Sequence, residues 1–192
     1  KKEKPKKISA IVACYKDEKA IEIMYAELIK VFKFLNSDYE IIFVNDCSPD
    51  ESEAIIKKIT LKDENVIGIT HSRNFGSQMA FKSGMEISTG DCVVLLDGDL
   101  QDPPAVIAEM YKKWERGYQV VYGVRVKREM NIILDKIHKL FYRFFSYLSY
   151  LEIPHDAGDF SLIDRTVVRK MLTFNERDLF LRGIRAYVGF KQ

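Results

Sequence analysis

Apolar residues fall into two rhythms through most of the chain. Short, nearly unbroken runs occur at Ile8 to Cys14, Glu40 to Asn45, Val66 to Thr70 and Cys92 to Leu96, as expected of strands buried on both faces. The stretches between and after them, Ala20 to Leu35, Glu51 to Leu61, Ser77 to Ser88 and Pro104 to Arg116, repeat apolar positions at helical spacing, and a proline suits a first helical turn. A fifth strand, Gln119 to Val124, follows Gly117. This alternation predicts an α/β fold, a mostly parallel sheet with helices on both faces. No internal repeat, low-complexity segment or linker interrupts it.

Further on, Ile133, Ile137, Leu140, Phe141, Phe144, Phe145 and Leu148 mark one face of a helix predicted between Ile132 and Leu151, with Asp135, Lys136, Lys139 and Arg143 on another. Such a C-terminal amphipathic segment either packs on the domain or, given its aromatics and basic flank, lies in a lipid interface. The sequence leaves both open.

Composition narrows the classes. With 47% hydrophobic and 30% charged residues, the 192-residue chain suits a single domain over 1–192 with a real core. A net charge of +2 argues against nucleic acid as a partner. The opening run KKEKPKK reads as a solvated tail, with anionic lipid head groups as the alternative. Cys14, Cys47 and Cys92 lack CxxC spacing and lie in or beside apolar runs, which predicts reduced thiols in or near the core and a cytoplasmic setting. His71, His138 and His155 are too scattered to suggest a metal cluster. No apolar run reaches the roughly 18 residues of a membrane span, and no signal peptide opens the chain. It starts at Lys and stops at GFKQ, which suggests a fragment of something longer.

In an open parallel sheet, ligands gather beyond the carboxyl ends of the strands. The acids fall there: Asp17 and Glu18 after the first strand, Asp46 and Asp50 after the second, Asp97 and Asp99 after the fourth. Asp46 with Ser48, Pro49 and Asp50 also makes a good turn and cap, and Asp17 also suits a helix start. No cap needs both Asp97 and Asp99, however, and their repulsion is tolerable chiefly with a cation between them. A dinucleotide-binding dehydrogenase is excluded because ACYKDEKA has no glycine, and no Walker loop occurs. A phosphatase with an aspartyl nucleophile would carry its acid pair on the opening strand rather than the fourth.

The ordered set AIVACYKDE, IIFVNDCSPD, SRNFGSQMAF, LLDGDLQDPP, VVYGVRVKRE, HDAGDFSLIDR and FLRGIRAYVGF resembles the inverting family 2 glycosyltransferases, whose fold is the Rossmann-like GT-A fold. It is most similar to the polyprenyl-phosphate glycosyltransferases, including bactoprenol glucosyltransferases and dolichol-phosphate mannose synthases. The resemblance implies that Tyr15, Asp17 and Glu18 border the nucleobase and ribose, that Asp46 bonds the base, and that Arg73 and Gln78 flank the same pocket. It assigns Asp97 and Asp99, with help from Gln101, to Mg2+ or Mn2+ and the donor diphosphate. Arg125 and Arg128 are implied as phosphate contacts in catalysis and acceptor binding, Arg182 as an acceptor contact, and Asp159 as a catalytic-site residue that orients loops or touches the sugar. Departures stand at Ala13 (usually proline), Lys16 (often asparagine), and Asn45 and Cys47 (the acid and glycine of the usual DDGS).

The resulting expectation is metal-dependent, inverting hexosyl transfer from a nucleotide sugar, a UDP-sugar ahead of a GDP-sugar, to polyprenyl phosphate at the cytoplasmic membrane face. Full-length relatives of this type frequently carry transmembrane helices beyond this point. Competing readings are a family 2 enzyme acting on a sugar hydroxyl and a non-catalytic nucleotide-sugar module. A homo-oligomer is among the assemblies the sequence permits.

Overall fold

The computed structural model describes residues 5–124, 157–174, 176 and 179–192. Strands β1 (Lys7–Cys14), β2 (Asp38–Asn45), β3 (Val66–Thr70), β4 (Cys92–Asp97), β5 (Val120–Val124) and β6 (Ala157–Asp164) form one sheet in the order β3-β2-β1-β4-β6-β5. The helices are α1 (Glu18–Leu35), α2 (Ser52–Thr60), α3 (Ser77–Ile87), α4 (Ile107–Glu115), α5 (Arg165–Met171) and α6 (Leu181–Tyr187), with a 3-10 turn at Pro104–Val106 leading into α4. Among the described residues, the strands and helices expected from the sequence form, most with ends shifted by a residue or two. The amphipathic stretch expected at 132–151 lies outside the described residues.

β1 pairs in parallel with β2 and β4, and β2 with β3, as the alternation requires. β6 departs from that pattern by running antiparallel to both β4 and β5, between which it is inserted. β1 and β4 are buried nearly throughout because both sheet faces are covered. Ile8, Ala10 and Val12 face a layer containing residues of α1, α2 and α4, whereas Ile11 and Ala13 face α3, α5 and α6. α3 crosses β1 closely at Gly84, where a Cβ would overlap Ile11 Cγ2. Trp114 on α4 donates its indole N–H to Asp164 at 2.9 Å, tying that helix to β6.

The amino-terminal edge of the sheet is closed by a buried carboxylate. Glu40 accepts from Lys7 Nζ (2.7 Å), Ser9 Oγ (2.6 Å), Thr89 N (2.6 Å) and Thr89 Oγ1 (2.8 Å). Burial alone would raise its pKa, but these donors outweigh burial and bring it down to about 2. Cys14 and Cys92 are buried as expected. Cys47 is exposed instead, because the turn after β2 puts it in the left-handed region (φ 55°) with its Sγ 3.8 Å from the Ser72 carbonyl.

Candidate active site

The register of the parallel strands decides where their ends fall. Cys14 stands opposite Asn45 and Ala13 opposite Asp97, so the residues that follow β1, β2 and β4 emerge at one level. There they surround a cleft of about 290 Å3, to which Tyr15, Asp17, Asp46, Asp97 and Asp99 all contribute. Its remaining walls are Ala13, Cys14, Gly98 and the segment Asn74, Gly76 and Ser77 at the start of α3.

Asp17 occupies the N-cap position of α1, yet its side chain does not cap the helix. Oδ2 instead accepts from Tyr15 N at 2.9 Å. Burial raises the Asp17 pKa, the Tyr15 N–H opposes that, and the charges of Asp99 and Asp50 push it up further. Gly98 lets the acid loop lie against Asp17: a Cβ there would come within 2.6 Å of Asp17 Oδ2 and 3.0 Å of the Ala13 carbonyl. The loop is held by Gly98 N donating to Ala13 O (2.8 Å) and Gln101 N donating to Asp99 Oδ1 (3.0 Å), with Leu100 in the left-handed region. Asp97 is half-buried and Asp99 exposed.

Asp46 is buried and heavily engaged. Oδ1 accepts from Phe75 N (2.9 Å) and lies 2.7 Å from His71 Nδ1, and Oδ2 accepts from Gly76 N (2.7 Å). The carboxylate therefore organises the 74–76 wall of the cleft, a role its position after a strand did not disclose.

Other expected residues fall elsewhere. Glu18 and Asp50 join two helix starts reciprocally: Asp50 accepts from Glu18 N (3.1 Å), and Glu18 accepts from Glu51 N (3.1 Å). Burial would raise the Asp50 pKa, but Ser48, Ser52 and the backbone donors bring it down to about 2. Arg73 stacks on Phe75, its guanidinium carbon 4.1 Å from the ring centroid. Gln78 turns away from the cleft walls and accepts from Leu181 N at 3.0 Å. Gln101 contributes its backbone N–H to Asp99. Arg125 and Arg128 lie outside the described residues.

Asp159 and Arg182 meet as a bidentate ion pair, with Nε to Oδ1 and Nη2 to Oδ2 both at 2.9 Å. Burial pushes the Asp159 pKa up, but Arg182, Gln78 and Arg185 outweigh it and hold the carboxylate below its usual range. Beside the pair, Arg185 is buried against Tyr122 and contacts the Gly158 carbonyl at 3.4 Å. Burial brings its pKa down to about 10, against the pull of Asp159. Sequence reasoning passed over Arg185, His71 and Gly98; only the occurrence of His71 directly after a strand, on the acid-rich edge, hinted at a role.

Comparison with known proteins agrees with this architecture. The model for "Glycosyl transferase family 2" matches residues 9–172. An uncharacterised glycosyltransferase of Bacillus subtilis, YkcC, is 43% identical over 185 residues, covering 96% of this chain and 57% of its own length. A prophage bactoprenol glucosyl transferase homolog of Escherichia coli is 37% identical (96% and 61% covered), and the bactoprenol glucosyl transferase of Shigella phage SfX is 36% identical (95% and 60%). The chain thus spans about three fifths of these relatives. Among solved structures, a Pyrobaculum calidifontis mannosyltransferase in complex with GDP-Man and Mn2+ superposes with TM-score 0.66 at 16% identity, over 99% of this chain and 54% of that one. Staphylococcus aureus TarS in complex with UDP-GlcNAc gives 0.58 at 20% identity, over 96% and 54%. The fold is the expected GT-A arrangement, and the chain belongs to glycosyl transferase family 2.

Proposed function

We propose that the protein transfers a hexose from a nucleotide sugar, UDP-glucose or similar ahead of a GDP-sugar, to polyprenyl phosphate at the cytoplasmic face of the membrane, with metal assistance and inversion at the sugar carbon. The observation that carries this reading is the cleft at the ends of β1, β2 and β4, where Asp17, Asp46, Asp97 and Asp99 converge. The relatives named as bactoprenol glucosyl transferases support the acceptor, and the neighbours complexed with nucleotide sugars support the donor class.

The residues fit a hard divalent cation. The acid edge carries enough negative charge for Asp99 to raise the pKa of Asp17, after burial has done so. Among the described residues, no His, Cys, Asp or Glu side chains gather in threes as a complete ligand set. Mg2+ or Mn2+ held by Asp97 and Asp99, with Gln101 nearby, would draw further oxygens from donor phosphates and water, as such cations commonly do. A cation held there would supply positive charge to offset that growing on a departing nucleoside diphosphate.

The donors already on Asp46 favour uracil. A carboxylate offers about four lone-pair directions, and among the described residues His71, Phe75 and Gly76 fill all but one. The lone pairing-edge N–H of uracil matches that remaining capacity better than the adjacent donors of guanine.

The acceptor end favours a phosphate over a hydroxyl. Both oxygens of Asp159 are occupied by Arg182 and its pKa is held down, which makes it a weak base. A lipid phosphate, with a second pKa near about 6, is mostly dianionic at neutral pH and needs no strong base. Arg182 keeps 39% of its side chain exposed and suits planar recognition of phosphate oxygens, the role that the family resemblance also assigns to Arg125 and Arg128.

The test is to incubate the protein with UDP-glucose or GDP-mannose, Mn2+ and polyprenyl phosphate, and to weigh the lipid by mass spectrometry. A hexose-linked lipid, with nucleoside diphosphate released only when the lipid is present, is the expected result. Nucleotide binding without turnover on any lipid phosphate would instead mark a sensor.

A further inference from the structure

Asp46, His71 and Ser83 form a chain of hydrogen bonds behind the cleft wall. His71 Nδ1 lies 2.7 Å from Asp46 Oδ1, and Nε2 lies 2.9 Å from Ser83 Oγ on α3. Asp46 is an acceptor, so Nδ1 carries the proton, and in the neutral ring Nε2 then accepts from the Ser83 hydroxyl. The ring is further braced edge-on against Phe75, with centroids 5.4 Å apart at 90°, and the His71 backbone N–H is fixed to Asn45 O at 2.9 Å.

This order of acid, imidazole and hydroxyl is also that of a serine nucleophile site. The surroundings argue against that use. Ser83 lies inside α3, where neighbouring backbone N–H groups serve the helix rather than an oxyanion, and it is not among the residues that line the cleft. What the chain does hold is the cleft wall: the carboxylate fixed by His71 is the one that receives Phe75 N and Gly76 N. Gly76 (φ 88°) is the N-cap of α3: its carbonyl accepts from Met79 N and Ala80 N in the first turn, and its N–H points back to Asp46 Oδ2 and Asn74 Oδ1, so the Asp46 anchor fixes the side of the residue that the helix leaves unpaired.

We propose that His71 is a positioning residue of the cleft: locked by Ser83, it orients Asp46, and through Asp46 it sets the Asn74 to Ser77 wall against which the nucleotide lies. The nucleotide part rests on the function proposed above, whereas the clamp itself does not. Three variants separate the parts. His71→Asn keeps an amide N–H near the Nδ1 position, His71→Leu removes every polar atom, and Ser83→Ala frees the ring. Hydrogen exchange read at the Phe75 and Gly76 amides should accelerate about 10-fold or more in His71→Leu, stay within about 3-fold of wild type in His71→Asn, and fall between in Ser83→Ala, while β1 and β4 amides are unchanged. Titration with UDP and Mn2+ should show the same ranking, with Kd raised about 10-fold in His71→Leu. Equal exchange in His71→Leu and wild type overturns the clamp, as does failure of His71→Asn to rescue. Labelling of Ser83 by a fluorophosphonate overturns the positioning role in favour of a nucleophile. Accelerated exchange in a protein whose wild type binds neither UDP nor GDP overturns the proposed function instead, and His71's part in it.

Discussion

Replacing Gly98 with Ala tests how the acid loop is built. The new Cβ would stand 2.6 Å from Asp17 Oδ2, where ordinary contact begins at 3.4 Å, so the carboxylate must retreat by about 0.8 Å. A shift of that size carries the 2.9 Å bond from Tyr15 N out of hydrogen-bonding range, a loss of about 1 kcal/mol at this partly solvated site. The Ala13 carbonyl, at 3.0 Å, is backbone and yields less easily, adding about 1 kcal/mol of overpacking. Alanine recovers about 0.4–1 kcal/mol by restricting the unfolded chain, which leaves a net destabilisation of about 1–1.5 kcal/mol. In an Asp17→Ala background the first contribution vanishes and the others remain, so a double-mutant cycle should yield about 1 kcal/mol of coupling. Urea unfolding reads this as a midpoint shift of about 0.5 M for Gly98→Ala, which shrinks or disappears when Asp17 is absent. Additivity within about 0.3 kcal/mol would refute the packing of Gly98 on Asp17 as the reason this position lacks a side chain.

Other outcomes follow from the same geometry. Glu40 has its pKa lowered to about 2, so its contribution to stability is fully present above the unfolded value of about 4.3 and is lost as pH falls toward 2. Glu40→Gln should therefore cost about 2–3 kcal/mol at pH 7 and flatten the acid limb of urea midpoints measured from pH 6 to 2. Gly84→Ala should destabilise by about 1–3 kcal/mol despite better helix propensity, since its Cβ meets Ile11; a stabilised protein would mean that α3 can lift off β1. Asp159→Asn should lower lipid-phosphate turnover by no more than about 10-fold and raise the acceptor KM as Arg182 loses its partner. A loss of about 1,000-fold with donor binding intact would instead make Asp159 the base of a hydroxyl-directed enzyme. Lys16→Asn should raise stability by about 0.5 kcal/mol, because Lys16 sits at φ 65°, a conformation asparagine tolerates better.

Elements whose signal is local could be read from sequence. β1, β2 and β4 are buried on both faces, so their uninterrupted apolar runs needed no partner to identify them. β6 was legible only as a family motif: Gly158 and Asp159 break its opening, and its pairing with β4 and β5 joins segments far apart in the chain. The short helices α5 and α6 likewise depend on packing against the sheet. At the site, the level of Asp17, Asp46, Asp97 and Asp99 followed from strand ends alone, whereas their partners did not. That Asp46 spends its oxygens on Phe75, Gly76 and His71 depends on a loop closing back from the next strand. The pairing of Asp159 with Arg182 spans 23 positions, and no spacing rule reaches that far. The departures at Lys16 and Cys47 proved informative in another way: both adopt positive φ, the conformation that asparagine or glycine would supply in the family pattern.

In the proposed reaction, the acids closing β4 hold a cation that steadies the leaving diphosphate. The decisive quantity is the initial rate of lipid-linked hexose formation, measured after chelation and then against added Mn2+ or Mg2+. In chelator the rate should fall below about 1% of the starting value and be restored by either ion in the wild type but not in Asp99→Asn, in keeping with the several kcal/mol such a cation contributes. Transfer that continues unchanged in chelator, or an Asp99→Asn protein as active as wild type, would mean that no cation at these acids takes part.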